Sequence, residues 1–167
     1  MPYAYYANLK ARDKAIYRQS DKIEALSLTD ATSLRYLVDE IEAALADEDR
    51  AALEKLVRQF ANALLERLDI SPVIINVLAV RPSDDWSELH GQYELAEERR
   101  RARVTVWMRT ARHKKVVAFR TFLRTVLHEL CHHLDYELLK LGDSFHTEGF
   151  FKRESSLFNQ LVPPSDP

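Results

Sequence analysis

The chain has 167 residues with a formal net charge of −2, and 46% of it is hydrophobic against 30% charged. That length buries the core of one ordinary domain without staples, and the near-balanced charge argues against a protein whose main task is to coat nucleic acid. No apolar run approaches the roughly 20 residues that cross a bilayer, the N-terminus lacks the basic start and apolar core of a secretory signal, and the single Cys131 cannot form an internal disulfide. A cytoplasmic protein with no membrane span is expected, and any metal it holds must use histidines and carboxylates.

Residues 1–70 read as helical, within a single domain over 1–162. Aromatic and aliphatic residues scattered among charges over 3–28 predict a short helix near 8–18, packed on the domain as an arm. Leu34, Leu37, Val38, Ile41, Ala44 and Leu45 then recur at helical spacing behind the cap candidates Thr29, Asp30, Thr32 and Ser33. Asp47, Glu48 and Asp49 offer N-caps for a second amphipathic helix, with Leu53, Leu56, Val57, Phe60, Leu64 and Leu68 on one side. The two form a helical hairpin, ended before Pro72 because proline lacks a backbone donor and disfavours helical geometry in the residue before it.

The β-branched, nearly continuous apolar run over 73–80 predicts a strand covered on both faces. Arg81, Pro82, Ser83, Asp84 and Asp85 break it. Segments 89–95 and 102–108 flank a charged turn and predict an antiparallel pair, the second alternating through Val104, Val106 and Met108. The basic residues from Arg99 to Arg124 follow an acidic stretch and read as a solvated hairpin, which gives a nucleic-acid partner weak support only. Residues 163–167 read as a disordered tail.

The chemistry concentrates in His128-Glu129-x-x-His132. At 100° per residue, Phe119, Leu123, Val126, Leu127, Leu130, Leu134 and Leu138 make one apolar stripe that packs a helix onto the sheet. His128 and His132 fall together on the opposite side, bordered by Thr125 and Asp135, so they can share a tetrahedral metal ion while Glu129 works on water. Cys131, at the edge of the stripe, reads as a small core hydrophobe, and His133 points about 140° away from His128, so neither joins the same shell. The helix is expected to run to Leu141 and stop at Gly142 as a positive-φ cap. Leu138 stands where a metzincin carries its third histidine, and Asp135 where it turns on glycine, which argues against that subclass.

Two downstream residues compete to be the third ligand. Glu154 shares a helix face with Phe150, Leu157, Phe158 and Leu161, at a separation like that of the glutamate ligand in thermolysin-like gluzincins. His146 precedes it, and the combination of His128-Glu129-x-x-His132 with His146-x-x-x-Phe150 resembles the SprT-like zincin metallopeptidases, over about residues 73–160. The resemblance implies an α+β, zincin-like fold: a small antiparallel or mixed sheet of at least three strands packed on the HExxH helix, here behind the N-terminal helical hairpin. It also implies zinc held by His128, His132 and His146, with Glu129 as the catalytic carboxylate. The chain departs from the family in having Thr147 where glycine commonly follows the third histidine, and in lacking the Cys-rich C-terminal module of some members. Both candidates cannot bind one ion, because eight helical residues span about 12 Å. With His146 as the ligand, Glu154 falls to orienting a metal histidine through its other ring nitrogen, or to an ion pair with an arginine.

The expected function is a zinc-dependent peptidase acting on a peptide or protein substrate, in which Glu129 serves zinc-activated water as general base and then acid. Tyr93, His90 and Arg153 are the polar candidates for a second oxyanion donor, and segment 102–109 is the expected sheet edge for a peptide. The alternative is a catalytically inactive, zinc-stabilised module that binds protein or nucleic acid.

Overall fold

The structure is a computed structural model and describes residues 2–84 and 87–164. Asp85 and residues 165–167 of the expected tail lie outside the described residues. A 3-10 helix, Ala4–Asn8, leads into α1 (Ala11–Asp21), α2 (Ala31–Ala46) and α3 (Arg50–Arg67); β1 (Ile74–Val80), β2 (Gly91–Glu94) and β3 (Arg103–Arg109) follow, then α4 (Phe119–Glu137) and α5 (Glu148–Leu161). The class is α+β, with five α-helices and a three-stranded mixed sheet among the described residues. No described helix is long and apolar enough to cross a membrane.

The α2–α3 hairpin forms where its periodicity places it, but of the expected side-chain caps only that of α3 is made: α2 starts after Asp30 (φ 52°) with no side-chain cap. Asp49 accepts the Ala52 N–H at 3.1 Å, and α3 closes through Asp69, which takes φ 57° and lets the Ile70 N–H return to the Leu65 carbonyl at 2.9 Å. The buried faces of α2 and α3 join β1, β3, α4 and α5 in one apolar cluster with Val57, Val77, Val104, Leu127 and Leu157 near its centre. Each such fully buried aliphatic side chain contributes about 1.5–3 kcal/mol relative to exposure.

Three sequence expectations change here. β1 is covered on one face rather than both: Val73, Ile75 and Val77 are buried while Leu78 is 46% exposed. The strand order is β1-β3-β2, with β1 parallel and β2 antiparallel to β3, so segment 102–109 is the central strand and not a sheet edge. An apolar run reads alike in either position, because strand order is set by tertiary packing. The third change is at the end of α4, which stops at Glu137; the chain reverses at Lys140 (φ 55°), and the Leu141 N–H returns to the Asp135 carbonyl at 2.9 Å. Gly142 has no positive φ and serves instead for close approach, since a Cβ there would stand 3.1 Å from Ile16 Cδ1.

Of the two edge strands, β1 is blocked by α3, whose Glu54 accepts the Val77 N–H at 3.0 Å and whose Arg50 donates to the Val77 carbonyl at 2.7 Å. The arm is held at the other end of the chain. Gly149, at the start of α5, donates to the Asp21 carboxylate at 2.9 Å, and a Cβ on it would lie 2.6 Å from the Ser20 carbonyl oxygen and 2.7 Å from that of Asp21. Backbone cannot yield there. Gly149→Ala is therefore expected to destabilise the fold by about 2 kcal/mol, read as a lower urea midpoint with an unchanged slope.

Candidate metal centre

Burial of Leu123, Leu127, Leu130 and Leu134 fixes the rotation of α4, which turns His128 and His132 to the opposite side, over a cleft of about 840 Å³. His146 comes from the loop between α4 and α5. Thr147 behind it caps α5 by accepting the Phe150 N–H at 2.8 Å, which accounts for a threonine at this place. The Tyr5 hydroxyl donates to the His146 carbonyl at 2.8 Å, so the N-terminal segment holds this loop.

The three imidazoles converge. His146 Nε2 stands 3.1 Å from His128 Nε2 and 3.0 Å from His132 Nε2, and the ligand atoms of the group all lie within 4.8 Å of one another. Nitrogens about 2.0–2.1 Å from a tetrahedral zinc lie about 3.3 Å apart, close to these separations. Phe150, fully buried, sits beneath all three rings with centroids 4.8–5.2 Å away. Burial, with His128 and His146 nearby, pushes the pKa of His132 down to about 3, and burial lowers His146 in the same direction. Both are thereby held as neutral imidazole, the form that binds metal.

Glu154 does not converge on this point. Its Oε1 lies 2.8 Å from His128 Nδ1, on the far side of the ring, and its Oε2 lies 3.5 Å from Arg124. A carboxylate on Nδ1 keeps the proton there and leaves the Nε2 lone pair facing the other histidines.

Glu129 lines the same cleft at 7% exposure. Burial pushes its carboxyl up to about 7, against the pull of His128 and with Glu154 adding to the rise. Gly91 allows β2 to approach this carboxylate: a Cβ would lie 2.8 Å from Thr125 Cγ2 and 3.0 Å from Glu129 Oε1. The exposed side chains of Leu89, Leu95 and Phe151 give the cleft apolar walls.

Cys131 is buried in the core, and burial raises its thiol. His133 faces away from the cluster; its Nε2 donates to the Ser71 carbonyl at 3.4 Å, so its Nδ1 accepts from the Tyr93 hydroxyl at 2.9 Å. That engages the proton Tyr93 could have offered to an oxyanion. Arg153 is fully buried and donates to Asp135 at 3.0 Å, which removes it from the same role; His90 alone of the three lines the cleft with its side chain exposed. Several arginines of the basic run have acidic partners, Arg100 with Glu97, Arg103 with Glu94 and Arg109 with Glu48. Sequence reasoning missed Ser144, whose Oγ is 2.7 Å from His132 Nδ1, and Tyr5, which meets His146 from 141 residues away. A lone serine in a short loop and a tyrosine in an irregular arm carry no periodic signal. No family model, curated protein or solved structure matches the chain.

Proposed function

We propose that this protein is a zinc-dependent hydrolase of peptide bonds, of zincin type. The observation that carries the reading is the convergence of His128, His132 and His146 through Nε2 beside the buried Glu129 in an open cleft. The paired motifs that resemble the SprT-like metallopeptidases point to the same residues. Zinc, when bound by the three histidines, supplies the Lewis acidity that acidifies water and polarises a carbonyl oxygen.

The chain's own residues do the rest. Glu129 accepts a proton from the attacking water as its oxygen bonds to the carbonyl carbon, and gives that proton to the amine nitrogen as the C–N bond breaks. A carboxyl near 7 is matched to both halves of this transfer. β2 borders the cleft as an edge strand, and no described hydrogen bond occupies its outer backbone groups. A peptide laid there as an added strand passes Gly91 and brings its carbonyl toward Glu129. A closed, zinc-stabilised binding module needs a fourth protein ligand, and among the described residues no further His, Cys, Asp or Glu joins the three.

His146→Ala is expected to abolish stoichiometric zinc binding, measured by metal analysis after dialysis, whereas Glu154→Ala keeps one zinc per chain with affinity reduced about 10- to 100-fold. The reverse pattern would make Glu154 the ligand. Glu129→Gln should retain zinc yet cut the rate of cleavage of a denatured protein substrate by at least about a hundredfold; parental turnover in that variant would sink the role given to Glu129.

A further inference from the structure

Two histidines of one motif are supported by different devices. His128 meets the Glu154 carboxylate directly, but His132 meets a neutral hydroxyl, Ser144 Oγ, at 2.7 Å, and that same oxygen lies 2.7 Å from Asp135 Oδ2. A serine hydroxyl has one hydrogen to give. Asp135 is wholly buried and its other oxygen takes Arg153 Nη2 at 3.0 Å; that guanidinium also donates to the carbonyls of Ser20 and Ile23 at 2.5 and 2.6 Å and to Ser20 Oγ at 3.0 Å. Ion-paired in this way, Asp135 is an acceptor only, so the Ser144 hydrogen goes to it. The remaining contact, between Ser144 and His132, then needs its hydrogen from Nδ1 of the ring.

We infer, on the reading of His132 as a metal ligand, that Ser144 and Asp135 are positioning residues for it. Asp135 turns the Ser144 hydroxyl so that it accepts the Nδ1 proton of His132, which leaves the Nε2 lone pair aimed at the point shared with His128 and His146. The loop is built to hold Ser144 there: its N–H donates to Asp143 Oδ1 at 2.8 Å, and the same carboxylate oxygen takes the Tyr136 hydroxyl at 3.0 Å. Ser144 is thus fixed from α4 on both sides, by Asp135 and by Tyr136. The relay carries less charge to the ring than a direct carboxylate, so it acts by selecting the tautomer and orientation of His132.

The test is Ser144→Ala, read in two ways on the full chain: zinc affinity by chelator competition, and the position of the His132 ring proton from nitrogen-15 NMR of the metal-free protein. The parent should carry the proton on Nδ1. The variant should keep one zinc per chain, bind it about 10- to 100-fold more weakly and lose the Nδ1 preference, while the urea midpoint of its metal-free form stays near that of the parent. Asp135→Asn, where folded, should weaken zinc more than Ser144→Ala, because its amide donates to Ser144 and turns the hydroxyl hydrogen onto Nδ1, forcing the ring proton to Nε2. Affinity within about twofold of the parent in Ser144→Ala, or an unchanged ring proton, overturns the assignment of Ser144 and Asp135 alone. A parent that takes up no zinc overturns the metal reading and this assignment together.

Discussion

The side chains of Arg153 and Asp135 are buried to within 1% of full enclosure, and three helices depend on how they meet. Removing a guanidinium and a carboxylate from water costs several kcal/mol per ion, and their attraction offsets this only when the remaining hydrogen-bonding capacity is filled. Here the end of α1 and the turn after it fill most of it, through the Ser20 and Ile23 carbonyls and the Ser20 hydroxyl, while Arg153 Nε is left without a partner. The pair therefore fixes α5 to the C-terminal end of α1 and both to the last turns of α4. Because Asp135 lies three residues past His132, the same joint that closes the arm onto the domain also sets the hydrogen bonding available behind the His132 ring.

Placement of the cleft follows from the sheet. With β3 in the middle and β1 sealed by Glu54 and Arg50, the unpaired edge is β2, the strand beside α4. Between β1 and β2, Arg81 pairs with Glu88 at 3.0 Å, the Arg81 N–H donates to the Arg109 carbonyl at the end of β3, and Glu88 accepts the Ala111 N–H. Glu88, Leu89 and His90 form one rim of the cleft. One strand order thus yields one protected edge and one open edge next to the Glu129 carboxylate.

Much of this was written in local pattern. The rotation of α4 and the separation of His128 and His132 from Cys131 and His133 followed from a 3.6-residue period, which needs no tertiary information. The placing of Glu154 behind His128 was one of two readings the sequence left open, and the choice needed the loop geometry that brings His146 in. Strand order was illegible, because an apolar strand looks the same at a sheet's centre as beside it. The end of α4 was misplaced because glycine is the usual left-handed residue, whereas here Lys140 adopts that conformation and the glycine is kept for contact with α1. Ser144 and Tyr5 act through hydrogen bonds made by folding, and nothing in their neighbours' spacing marks them.

The bond from the Tyr5 hydroxyl to the His146 carbonyl joins positions 141 residues apart. Closing a span of that length costs loop entropy, which the neighbouring bonds from Gly149 and Arg153 to the end of α1 and the turn after it share. The loop that presents His146 therefore gains its tyrosine brace only when the two ends of this span are brought together by the fold. α4 thus carries two of the three imidazoles by its own helical period, while the third is presented by a loop that is braced from the opposite end of the sequence.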